Sequence, residues 1–149
     1  KDILKMAVVE RHKNTRHIGI GYLKGYGLKS GAVATSVAHD SHNIICVGTN
    51  DEDMAFAVNR IARNRGGIVV VENGQMLAEL PLEIAGIISG KPLREVNTLL
   101  EDAKKAAHAL GVGTDIDPFM TLSFMSLPVI PTLRLTTRGV VDVNTQQYV

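Results

Sequence analysis

Ala32-Val33-Ala34-Thr35-Ser36-Val37-Ala38, then His39-Asp40-Ser41-His42-Asn43, then Ile44-Ile45-Cys46-Val47-Gly48 reads as two apolar strands joined by five polar residues. Both runs lack the apolar/polar alternation of a half-exposed strand, so both read as buried strands. A short polar link between two such strands makes this the place where the sheet meets solvent.

The flanks extend the sheet. Ile3 to Glu10 reads as a strand, Arg11 to Arg16 as a polar turn, and Ile18 to Leu23 as the returning strand. Five glycines lie between positions 19 and 31 and imply tight bends or close backbone approaches. They form neither a P-loop nor a dinucleotide fingerprint, because no Gly-Lys-Ser/Thr ends the run and no helical pattern follows it.

Downstream, Thr49-Asn50-Asp51-Glu52 starts a helix, with Met54, Val58 and Ile61 on one face and Gly66-Gly67 as its stop. Ile68 to Val71 and Gln75 to Leu80 flank Asn73-Gly74, a hairpin signal. Leu82 to Ser89 reads as a short apolar helix or turn. Pro92 belongs in the first turn of an amphipathic helix that runs to Leu110 and stops at Gly111. Asp115 to Pro118 reads as a loop and Phe119 to Leu127 as an apolar segment. Leu133–Leu135 and Val140–Val143 form a last hairpin around Thr137-Arg138-Gly139.

These elements make a single α+β domain (mixed α/β) over residues 1–149, with a mixed sheet of about six strands flanked by helices. The length suits one domain. Apolar residues are 45% and charged residues 21%, and with no Trp, three Tyr and three Phe the core must be aliphatic. A net charge of +1 gives no electrostatic case for nucleic acid or an anionic membrane. No run approaches the ~20 apolar residues of a membrane helix. Lys1 to Lys5 opens no signal peptide. The chain does not begin with Met, and the expectation is a piece of a longer protein. Cys46, the single cysteine, reads as a buried thiol in a reducing, cytoplasmic compartment.

The dense polar site is His39, Asp40, Ser41, His42 and Asn43. Two histidines beside a carboxylate suit metal ligation, polarisation of a water, or hydrogen bonding to a heterocycle. His39 and His42 are the candidate ligands of an accessory metal, for which outside ligands must complete the shell. The same residues also read as a tight turn in which Asp40 and Asn43 bond their own backbone.

Other groups carry less. Asn50 to Asp53 reads as a helix start more readily than as an oxygen cage for a cation. Glu10, Arg11, His12 and Lys13 read as a solvated strand end. Ser36 and Ser41 lie near the histidines, but no G-x-S-x-G elbow surrounds either. His108 reads as a boundary histidine, His17 has no evident partner, and Met120, Phe124 and Met125 read as packing residues.

Longer motifs resemble a known family. Glu10-Arg11-His12 with Ile18-Gly19-Ile20-Gly21-Tyr22-Leu23-Lys24-Gly25-Tyr26-Gly27-Leu28 is similar to the opening of the C-terminal domain of bacterial and archaeal adenine deaminases. Ser36 to Ile45 and Val47 to Met54 carry the most distinctive part. Ala78 to Leu82, Ile84-Ala85-Gly86, Asp117 to Phe124 and Leu127 to Pro131 continue it in order. Tyr22, Tyr26 and Arg16-His17 depart from the family pattern in detail.

That resemblance places the parent in the amidohydrolase superfamily, converting adenine and water to hypoxanthine and ammonia. It implies a divalent metal (Mn or Fe) held by an N-terminal (β/α)8 barrel, a homo-oligomeric and cytoplasmic protein, and no catalytic centre within these residues alone. On this basis the turn His39 to Asn43 contacts substrate or water at the mouth of the barrel. The alternatives are a structural or dimerisation module, or a stand-alone domain for a metal or small ligand.

Overall fold

A computed structural model describes residues 2–149. The element order is β1 (Ile3–Val9), β2 (Ile18–Lys24), β3 (Ala32–Thr35), β4 (Ile44–Gly48), α1 (Asp51–Arg63), β5 (Gly67–Glu72), β6 (Gln75–Pro81), α2 (Leu93–Ala109), α3 (Pro118–Ser123), β7 (Leu133–Thr136), β8 (Gly139–Asp142) and β9 (Gln147–Tyr148). Six strands form one sheet in the order β2-β1-β4-β3-β5-β6, and β7-β8-β9 form a smaller one.

Every neighbouring pair in the large sheet is antiparallel. The strand–helix–strand unit β4-α1-β5 gives no parallel pair because β3 lies between its two strands, antiparallel to both. The α+β class and the six strands agree with the sequence pattern, while the sheet is uniformly antiparallel rather than mixed.

The two strands that decided the fold are central, and, as their unbroken apolar runs require, every residue of β3 and β4 is buried. On one face α1 packs Met54, Ala57 and Ile61 against Ala34, Ile44, Cys46 and Val69. On the other face α2, α3 and the smaller sheet enclose a larger core that includes Val33, Ile45, Val47, Ala107, Phe119, Leu122 and Leu135. Tyr26, 1% exposed, donates its hydroxyl to Pro118 O at 2.9 Å and ties the loop after β2 to the start of α3. Burial raises that phenol well above its ordinary range.

The third strand is shorter than its apolar run, ending at Thr35 rather than Ala38. Thr35 Oγ1 takes the Val37 N–H at 3.0 Å, and the His39 N–H goes to Ser123 O at 3.0 Å. The chain therefore peels from the sheet toward α3. The third helix was hidden in what reads as a loop and an apolar segment. Asp117 caps it, accepting from the Phe119 and Met120 N–H groups, and Pro118 occupies its first turn. Residues Leu82 to Ser89 form turns closed by a bridge between Ile84 and Ile88, not a helix. Pro92 is the residue just ahead of α2 rather than inside it. The short β9 had no counterpart in the sequence pattern.

Candidate functional site

The turn from Ala38 to Asn43 closes on itself through His42. The His42 N–H donates to Ala38 O at 2.6 Å, and the Ala38 N–H donates to His42 Nδ1 at 3.2 Å. His42 sits at φ +49°, a left-handed turn position. A ring nitrogen that accepts from a backbone N–H carries no proton, so neutral His42 holds its proton on Nε2. Its pKa lies below the ordinary histidine value, chiefly through burial, with the positive charges of His39, Arg11 and His12 adding to the effect against Asp40.

His39 is held from the other side. Its ring centroid is 5.2 Å from that of Phe124 and 5.9 Å from that of His42. Asp40 and Ser41 stand exposed at the tip, while His39, His42 and Asn43 are half-buried. Beside them lies a hollow of about 370 Å³, lined by Asp40, Ser41, Asn43, Ser126 and Pro128 over a floor of Val8. The Ser126 hydroxyl is buried and has no hydrogen-bond partner among the described residues.

The turn is clamped by residues that sequence reading assigned to a solvated strand end. Arg11 Nε donates to His42 O at 2.6 Å, and its Nη2 donates to Ala85 O at 2.6 Å. The Arg11 N–H reaches Asn43 Oδ1 at 3.4 Å. His12 Nε2 meets Ser41 O at 2.6 Å, and since a carbonyl only accepts, that nitrogen bears a proton. Glu10 fixes the loop itself, its carboxylate accepting from the N–H groups of Thr15, Lys13 and His12. These bonds, led by that from Thr15, hold its pKa down to about 2. The signal for this clamp was the run Glu10-Arg11-His12 placed directly after an apolar strand. What the sequence could not show is that its long-range partners are backbone carbonyls, which have no residue signature.

The remaining candidates fall into structural places. Ser36 is fully buried, donates to Gly86 O at 2.5 Å and accepts from the Gly67 N–H at 2.7 Å, so it staples two loops. Asn50 caps α1 by accepting from the Asp53 N–H at 2.8 Å. Asp53 is itself buried, and its carboxylate accepts from the Gly74 N–H at 2.7 Å and the Asn73 N–H at 3.1 Å, holding the β5–β6 hairpin. Burial alone would raise its pKa, but the bonds from Asn50, Gly74 and Asn73 outweigh burial and lower it. Cys46 is buried, and its thiol is pushed far above the range in which a thiolate forms.

The site can donate from a neutral imidazole and accept at an exposed carboxylate. A metal shell is a poorer fit. Among the described residues no group of three His, Cys, Asp or Glu side chains converges on a point. Two histidines alone leave a cation short of ligands. No described helix is long and apolar enough to cross a membrane.

Comparison with known proteins adds the following. The family model described as the adenine deaminase C-terminal domain matches residues 1–147. The adenine deaminase of Nitratidesulfovibrio vulgaris (strain Hildenborough) is 53% identical over 147 residues, covering 98% of this chain and 26% of that protein. The adenine deaminase of Bacillus subtilis (strain 168) is 48% identical over 148 residues, covering 99% of this chain and 26% of that protein. Adenine deaminase 2 of Carboxydothermus hydrogenoformans is 52% identical over 145 residues, covering 97% and 25%. The chain thus spans about a quarter of the length of these relatives.

Proposed function

The chain belongs to the adenine deaminase C-terminal domain family, and on that premise we propose that it serves a longer hydrolase converting adenine and water to hypoxanthine and ammonia. The observation that carries this reading is the match over residues 1–147 together with relatives bearing that name.

In this reading the rest of the polypeptide is an N-terminal amidohydrolase barrel, and the whole protein is a cytoplasmic homo-oligomer. A divalent metal (Mn or Fe) is placed in that barrel; among the described residues no three His, Cys, Asp or Glu side chains converge to hold one. When bound there, the metal supplies an activated water. The domain docks on the barrel and presents His39, Asp40, Ser41, His42 and Asn43 to the active-site mouth. Neutral His42 donates from Nε2 to an acceptor nitrogen of the purine or to a water. Asp40 accepts an N–H, and His39 packs its ring against the base beside Phe124. The clamp of Arg11 and His12 keeps these groups in register without itself touching substrate.

The clamp also favours a second reading, in which the turn is only an anchor for loops and the domain is a structural or dimerisation module. The two readings separate on kcat of His39→Ala and His42→Ala in the whole protein, which the anchor reading leaves at wild type. The deaminase parentage that both share is tested by ammonia release from adenine. The whole protein should release ammonia and residues 1–149 alone should release none. Deamination by the isolated chain, or none by the whole protein, would overturn the proposal.

A further inference from the structure

The apolar pattern of β2 runs inside out. Gly19 and Gly21 face the small sheet, where a Cβ on Gly19 would lie 1.8 Å from Thr136 O and one on Gly21 would lie 3.3 Å from the Leu135 side chain. The large residues that alternate with them point the other way. Ile18, Ile20 and Tyr22 are 55%, 50% and 74% exposed. They stand on the α1 side of the sheet, paired with Val9, Ala7 and Lys5 of β1.

On that side α1 packs on β4, β3 and β5 and reaches β1 only at its edge, where Ala7 is buried and Val9 half-buried against it, so that β2 is left uncovered. Ile18, Ile20 and Tyr22 of β2, with Ile3 of β1, make an exposed apolar lane along this edge of the sheet. Between the lane and α1 runs an apolar groove of about 420 Å³, lined by Ala7, Val9, Ile18, Ile20, Met54 and Val58. A second hollow of about 720 Å³ shares Val9 and Val58 with it and extends to Arg11 and His12, the clamp of the polar turn. At the lane's other end, Lys5 and Asp51 pair at 2.6 Å. Soluble proteins seldom leave a contiguous apolar surface of this kind uncovered. The relatives carry about three quarters of their length beyond the part this chain matches.

We infer that in the whole protein this lane is covered by an apolar segment of the remaining polypeptide, lying in the groove beside α1 and ending against Arg11 and His12. The inference rests on the reading above that the chain is one domain of a longer deaminase, and names the face by which it docks. The occupant is intramolecular and reaches the loop that positions the polar turn.

The test is thiol reactivity in the whole protein. Ile20→Cys, and separately Tyr22→Cys, are treated with a maleimide, native and in urea, and labelling of the β2 peptide is followed by mass spectrometry. Both positions are exposed in this domain, so neither substitution disturbs its core. The expected result is labelling slower by about tenfold or more in the native protein than in urea, at every protein concentration. Protection that vanishes on dilution to single subunits would mean a second copy covers the lane, and would overturn the intramolecular occupant. Native labelling as fast as in urea would overturn the inference altogether. Limited proteolysis then separates the two levels: a domain that stays attached and resistant means only the face is wrong. A domain released freely removes the docked-domain reading as well.

Discussion

Arg11 Nε donates to the carbonyl oxygen of His42 at 2.6 Å, so a strand-end arginine holds the backbone of the turn that carries the histidines. Its Nη2 reaches Ala85 O at the same distance, and the guanidinium lies where a Cβ on Gly86 would stand 2.2 Å from Nη2. Three loops meet on one side chain.

Removing it leaves two carbonyls without their charged donor. Arg11→Ala is expected to lower stability by about 1–3 kcal/mol in urea unfolding of the domain. Arg11→Lys should recover only part of this, because an ammonium lacks the planar fork. Gly86→Ala should imitate the loss by displacing the guanidinium. A wild-type midpoint in Arg11→Ala would show that the clamp carries no stability.

The small sheet sits on β2 because Gly19 has no side chain. Gly19→Ala drives a methyl onto Thr136 O, 1.8 Å from the ideal Cβ position. It should cost about 1–3 kcal/mol, as overpacking does. Gly25→Ala meets no neighbouring atoms, so its cost is limited to the backbone strain of its φ of +85°. Equal thermal midpoints for Gly19→Ala and wild type would contradict the packing described for β7 and β8.

Asp53 serves the β5–β6 hairpin turn as well as its own helix. Asp53→Ala leaves the Asn73 and Gly74 N–H groups unpaired and should destabilise the domain by about 1–3 kcal/mol. Amide hydrogen exchange should rise at Gly74 before it rises in β3 or β4. Unchanged protection at Gly74 would count against this role.

His42 titrates below the ordinary histidine value because the neutral ring is the form that accepts from Ala38 and avoids a buried charge. A base whose pKa is depressed by folding contributes stability that is fully present above its unfolded value of about 6.5 and is lost as pH falls through the lower folded value. NMR titration should place the His42 midpoint below 6.5, with Nε2 as the protonated nitrogen of the neutral ring. A midpoint above that value, or a neutral Nδ1–H tautomer, would contradict the turn geometry.

β3, β4 and their polar link were legible as two buried strands and a connection because burial on both faces leaves an unbroken apolar run; their central place in the sheet was not. The Asn73-Gly74 turn and the Asn50 cap were legible because each needs particular residue types. The uniformly antiparallel sheet was not, since periodicity shows which segments are strands but not that β3 inserts between β4 and β5. Asp117-Pro118 did carry a helix-start signal for α3, obscured by the prolines that follow it. At the site, the residue types of the turn were visible and its clamp was not. Arg11 looked solvated because its two guanidinium acceptors are carbonyls of residues 31 and 74 positions away in the chain.

The central claim is that the turn His39 to Asn43 serves the deamination of adenine. Steady-state kinetics of the whole protein test it most directly, with His39→Ala and His42→Ala beside wild type. The account predicts kcat for adenine lower by about 10²-fold in His42→Ala, the scale of a positioned proton donor, measured well below a midpoint that loss of the Ala38 N–H bond lowers. It predicts a lower kcat in His39→Ala with a midpoint close to wild type. Wild-type kcat and KM in both variants would contradict it, and would leave the turn as an anchor for loops.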